Sequence, residues 1–125
     1  MLHHTGHGEP HFDLLVESPA GPLVTLRLPA WPVCSRLTFE RLPDHRAIYL
    51  DYEGPISGNR GEVRRVEAGT CGATSAWILT QSLRPGLLTL DAIETNHEPI
   101  ERGRRICLNV SIADSWIEPI SSVYR

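Results

Sequence analysis

Apolar and polar residues alternate in short pieces of six to eight positions, and Pro and Gly, 10 of each, break the pattern at intervals along the whole chain. Within Leu23–Leu28 the apolar Val24, Leu26 and Leu28 alternate with Thr25 and Arg27, a period of two that belongs to a half-buried strand. The same reading predicts strands over 12–17, 47–53, 62–67, 76–81, 87–93 and 105–112. Helix has little room. Segments 35–42 and 91–97 could each hold a turn or two before Pro43 and Pro99 stop them. Many short strands joined by turns predict an all-β fold, a small closed or partly open antiparallel β-barrel with short helical turns, over a single domain of residues 1–125.

Composition narrows the class. A hydrophobic content of 41% with 22% charged residues is that of a globular protein, neither disordered nor fibrous. No apolar run approaches the roughly 18 residues of a membrane span, and the first ten residues are polar and His-rich, so no membrane association and a cytoplasmic location are expected. All 12 basic residues are arginine, against 15 Asp and Glu, giving a net charge of −3. That balance excludes a broad cationic surface of the kind that coats nucleic acid. A local anion site is still open to it, because the guanidinium fork suits a phosphate; codon usage in a GC-rich genome would equally give arginine without lysine. Cys34, Cys71 and Cys107 form no C-x-x-C pair, which points away from a disulfide framework or a structural zinc site.

Candidate chemistry begins with histidine. Four of the 6 histidines, His3, His4, His7 and His11, lie in the first eleven residues. In the strand that follows, His11 and Asp13 share parity and project from one face, whereas Phe12, Leu14 and Val16 face the core. An H-x-D pair taken alone reads as a solvated surface pair. With one more histidine from the preceding segment it becomes a two-His, one-carboxylate set, which suits a divalent transition metal with open positions. A second titratable cluster lies in Asp44-His45-Arg46-Ala47-Ile48-Tyr49-Leu50-Asp51-Tyr52-Glu53-Gly54. Extended geometry would put His45, Tyr49, Asp51 and Glu53 on one face and Ile48, Leu50 and Tyr52 on the other. A glycine turn carrying Arg60 follows. An ordinary edge strand with a polar outer face would look the same.

These pieces, His11-Phe12-Asp13-Leu14-Leu15-Val16-Glu17, then Asp44-His45 to Tyr49, Tyr52-Glu53-Gly54 and Arg60-Gly61-Glu62-Val63, stand in a fixed order. In that order and spacing the chain resembles the 3′-phosphoesterase domain of bacterial ATP-dependent DNA ligase D, especially its short stand-alone relatives, over roughly residues 2 to 71. The resemblance implies a compact β-barrel that uses a divalent metal, typically manganese, to remove 3′-terminal ribonucleotides and 3′-phosphates from DNA or RNA-DNA ends in repair. It implies His11 and Asp13 as metal ligands, with His4 as the further histidine and His3 or His7 as substitutes. It also implies His45 and Tyr49 at the scissile phosphate, His45 donating a proton or binding an oxygen and Tyr49 orienting the group. A separate ligase or polymerase is the implied partner.

One departure stands out. Two residues after the metal aspartate that family carries a phosphate-contacting arginine, and this chain has Leu15. Arg36, Arg41 and Arg60 are the candidates to bind phosphate from another strand. Two further readings are a non-catalytic module of the same fold that binds nucleic-acid ends or a repair partner, and a cupin-like Fe(II) oxygenase built on His11, Asp13 and His97. Trp31, Trp77 and Trp116 read as packing residues, and Arg102, Arg104 and Arg105 as a solvated turn.

Overall fold

The computed structural model describes residues 1–95 and 104–120. These described residues form eleven strands in two antiparallel sheets, a 3₁₀ turn and one short helix. The strands are β1 (Leu2–Thr5), β2 (His11–Glu17), β3 (Leu23–Leu28), β4 (Leu37–Thr38), β5 (Glu40–His45), β6 (Gly54–Pro55), β7 (Glu62–Arg65), β8 (Glu67–Cys71), β9 (Gly86–Thr95), β10 (Arg105–Ser111) and β11 (Trp116–Pro119). The first sheet has the order β5-β3-β2-β1-β7-β6 and the second β4-β11-β10-β9-β8.

All-β is thus the fold class, but the expected barrel is not formed. Two sheets stand in its place, and at two corners a segment leaves one sheet and enters the other. The first corner is Phe39, between β4 and β5, whose amide donates to the Ser115 carbonyl at 3.0 Å. The second is Val66, between β7 and β8, whose amide donates to the Met1 carbonyl at 3.0 Å. The sequence reading of 35–42 as helical and 62–67 as one strand gives way at these corners. Pro43 is tolerated within β5 because β5 is an edge strand, where a missing N–H breaks no ladder.

Between the sheets lies the main core, with Leu14, Val24, Leu26 and Leu28 from one side and Leu88, Leu108, Val110 and Ile117 from the other. Helix α1 (Ser75–Thr80) closes one end. The sequence reading made 76–81 a strand. A short apolar run does not by itself separate strand from helix, and the burial of Ser75, Ile78 and Leu79 follows the helical i, i+3, i+4 spacing. That choice leaves Trp77 55% exposed, not packed.

The outer face of the first sheet is covered as well. Leu2, Leu15, Leu23 and Val63 form a second small cluster there, and Tyr49, Leu50, Tyr52 and Ile56 pack onto it. The cover is the 3₁₀ turn Ala47–Leu50 and the loop after it, in place of the strand expected over 47–53. Strand parity would have put Tyr49 and Leu50 on opposite faces; one helical turn brings both down onto the apolar patch and turns Ile48 outward, 64% exposed.

Candidate metal centre

Register explains the centre. β1 pairs with β2 so that His4 stands opposite His11 and Leu2 opposite Asp13. Directly opposed residues share a face, so His4, His11 and Asp13 all project from the outer face of the first sheet, and their ligand atoms lie within 4.8 Å of one another. The hairpin that joins the two strands turns through Gly6 and Gly8, both at positive φ. His11 and Asp13 are buried, whereas His4 is half-buried.

Backbone carbonyls set the proton positions. His11 Nδ1 faces the Glu9 carbonyl at 3.1 Å and His4 Nε2 faces the Arg60 carbonyl at 2.7 Å. A carbonyl only accepts, so those two nitrogens donate. With both rings neutral, the other two nitrogens, His4 Nδ1 and His11 Nε2, turn lone pairs toward each other across 3.2 Å. Asp13 Oδ1 lies 3.5 Å from the same His11 Nε2 and, although buried, has no hydrogen-bond partner. Three acceptor atoms therefore converge with no donor among them. Such a cluster calls for a cation, since a buried acceptor left unpaired costs about 1–3 kcal/mol. The spacing fits a metal: bonds of about 2.1 Å meeting at right angles hold their donor atoms about 3 Å apart. Two imidazoles and a carboxylate suit a divalent transition metal and leave positions open for substrate or water. The carbonyls of Glu9 and Arg60 are the outer partners that orient the two rings.

Arg60 reaches this position because Gly61 lies against β1. Gly61 has φ +81°, and a Cβ there would collide with the Thr5 carbonyl oxygen. The glycine turn thus presses on the end of β1 and delivers the Arg60 carbonyl to His4. The Arg60 guanidinium folds back on its own turn, donating to the Ser57 carbonyl at 2.7 Å.

The other sequence-selected residues fall elsewhere. His3 faces the opposite side of β1 and stacks on Phe12 with ring centroids 4.4 Å apart, while His7 lies in the hairpin turn. His45 and Tyr49 come together, ring centroids 5.8 Å apart, on the same outer face as the triad. Yet His45 is opposite Leu23 and Leu23 opposite Glu17, four residues along β2 from Asp13, which is roughly 13 Å. Leu15, 8% exposed under the aromatic cover, occupies the stretch between. Arg36 lies just before β4, bonded to Glu118 of the second sheet at 2.9 Å and stacked over Trp116. Arg41 is held by the Leu79 carbonyl and by Asp44. His97 and Arg102 lie outside the described residues.

An arginine that the sequence reading passed over stands next to the triad. Arg27 is directly opposite Asp13 in the β2–β3 hairpin, which puts the two Cβ atoms about 5 Å apart on one face. A groove beside the triad is lined by His4, His7, Glu9, His11, Arg27 and Glu40. The signal was present: a turn centred on Ala20 in Ser-Pro-Ala-Gly-Pro fixes Glu17 opposite Leu23 and hence Asp13 opposite Arg27. No helix among the described residues is long and apolar enough to cross a membrane. No protein-family model matches the chain and no curated protein matches it, so the functional reading rests on the geometry above and on the motif resemblance.

Proposed function

We propose that this protein is a divalent-metal-dependent phosphoesterase that processes 3′ ends of DNA or RNA-DNA in repair, removing a 3′-terminal ribonucleotide or a 3′-phosphate. The observation that carries the reading is the convergence of His4, His11 and Asp13, one ligand atom from each lying within 4.8 Å of the others, with both imidazoles oriented by backbone carbonyls. The donor set and the motif resemblance favour manganese as the metal. When bound, such an ion polarises a phosphoryl oxygen and lowers the pKa of its water. His4, His11 and Asp13 hold it, and Asp13 loses its unpaired lone pair in doing so. We assign His45 and Tyr49, further along the same face, to contacts with the polynucleotide beyond the phosphate on the metal. A cytoplasmic location and a separate ligase or polymerase as partner belong to the same reading.

A second reading is favoured by one observation. Leu15, where the resembling family has an arginine, is committed to an apolar cluster, and a module that binds 3′ ends without cleaving them would need only the metal. The two are separated by incubating the protein with manganese and a primer-template ending in a single 3′-ribonucleotide. The phosphoesterase reading expects shortening by one nucleotide in the wild type, loss of shortening in His11→Ala and a weaker effect in His45→Ala. No shortening and no dephosphorylation at any metal concentration overturns it. Retention of the DNA end by the manganese-loaded protein would then support the binding module.

A further inference from the structure

Arg27 differs from the other arginines that face a carboxylate. Its Nη1 stands 3.7 Å from Glu40 Oε1, the longest arginine–carboxylate contact among the described residues, where Arg36, Arg41 and Arg105 make theirs at 2.9, 2.9 and 2.8 Å. Its Nε is buried and has no acceptor. Arg104 also has a buried Nε without an acceptor, but that guanidinium is fixed to the buried Glu67 at 2.9 Å, whereas the Arg27 guanidinium has the loose contact at 3.7 Å. Arg27 lies in the groove beside the metal triad, opposite Asp13, with Glu40 next to it in the same cross-strand row.

We infer that Arg27 is the phosphate-binding residue of this site: the terminal phosphate bridges the metal and the Arg27 guanidinium, displacing the loose contact with Glu40. This inference rests on the phosphoesterase reading and adds to it where the anion sits. Three features fit. A planar fork with an unused Nε–H suits two phosphate oxygens. The position, one strand over from Asp13, puts the guanidinium beside the triad and outside Leu15's apolar cluster, so the leucine need not be replaced. Glu40 is exposed and weakly held, so it gives way at little cost, and its charge opposes the incoming phosphate.

The test uses the full chain and two readouts that need no turnover. Manganese binding is followed by the electron paramagnetic resonance of the free ion, and binding of inorganic phosphate to the manganese-loaded protein by broadening of the phosphate phosphorus resonance. An oligonucleotide ending in 3′-phosphate is compared with one ending in 3′-hydroxyl by fluorescence anisotropy. Arg27→Gln should weaken phosphate and 3′-phosphate binding on the order of ten- to a hundredfold. It should leave manganese affinity equal or slightly tighter, because a cation next to the metal has been removed. Arg27→Lys, which keeps the charge without the fork, should fall between. Glu40→Gln should tighten phosphate about two- to fivefold, an effect of opposite sign that a purely structural Arg27–Glu40 pair would not give. If manganese binds and phosphate affinity is the same in wild type, Arg27→Gln and Glu40→Gln, the inference is overturned and the metal reading survives. If the wild type binds no manganese, both fail. Equal binding of the 3′-phosphate and 3′-hydroxyl oligonucleotides overturns the terminal phosphate as the occupant.

Discussion

Replacing Asp13 by Asn should have opposite effects on stability with and without metal. Asp13 is 4% exposed and its Oδ1 has no hydrogen-bond partner, with His11 Nε2 3.5 Å away. An orphaned buried acceptor of this kind costs about 1–3 kcal/mol. Asn removes the charge and brings an N–H that can donate to His11 Nε2. Part of the gain is offset because Arg27 loses a carboxylate neighbour, but Arg27 is partly exposed and keeps Glu40. The metal-free Asn variant should therefore be as stable as the wild type or more stable by about 1 kcal/mol. Manganese at a hundred times its Kd stabilises the wild type by about 2.7 kcal/mol and should leave the variant unchanged. The order then reverses, with the wild type ahead by roughly 2 kcal/mol in manganese. Urea denaturation in EDTA and in manganese, followed by tryptophan fluorescence, reads both arms. The reasoning is refuted if the substitution costs 2 kcal/mol or more in EDTA, or if manganese stabilises both proteins equally; Asp13 would then be a structural partner and not a ligand.

Leu15→Arg, which restores the residue of the resembling family, should destabilise by about 2–4 kcal/mol because the leucine fills the cluster of Leu2, Leu23 and Val63. Near-ultraviolet circular dichroism of Tyr49 and Tyr52 should weaken with it, and 3′-end processing should not increase. Gly61→Ala should cost at least about 2 kcal/mol, since φ is +81° and the new Cβ meets the Thr5 carbonyl. It should also weaken manganese binding about tenfold or more by shifting the carbonyl that orients His4, as measured by titration of the folded fraction. Glu67→Ala should cost about 3 kcal/mol in urea denaturation with metal binding retained, because the buried carboxylate accepts from Trp31 Nε1 at 3.1 Å and Arg104 Nη2 at 2.9 Å.

The parity of His11-Phe12-Asp13-Leu14 was readable from the sequence because β2 is a regular strand, whose alternation separates core from site residue by residue, whereas the burial of its second face was not. His4 could be nominated but not chosen over His3 and His7: the choice depends on the β1–β2 register, which two positive-φ glycines set. Segment 47–53 misled because its alternation imitates a strand. What decides its conformation is the apolar outer face of β2 and β3, a tertiary demand that a local window does not contain. The β5–β3 register, which places His45 and Tyr49 further along the face that carries the triad, is likewise outside a local window. The corners at Phe39 and Val66 were hidden for a different reason, since a strand that changes sheets keeps its extended backbone and leaves no punctuation. Arg27 was legible in principle through the hairpin symmetry about Ala20, but the resemblance, which puts the arginine at position 15, carries no pointer to it.

The central claim is that His4, His11 and Asp13 are one metal site. A titration of the protein with manganese, read by the loss of the free-ion paramagnetic signal, tests it without any assumption about substrate. The account predicts a single site per chain in the wild type, and loss of that site in His4→Ala and His11→Ala proteins that remain folded. Absence of binding in the wild type, or binding that survives both substitutions, would contradict it.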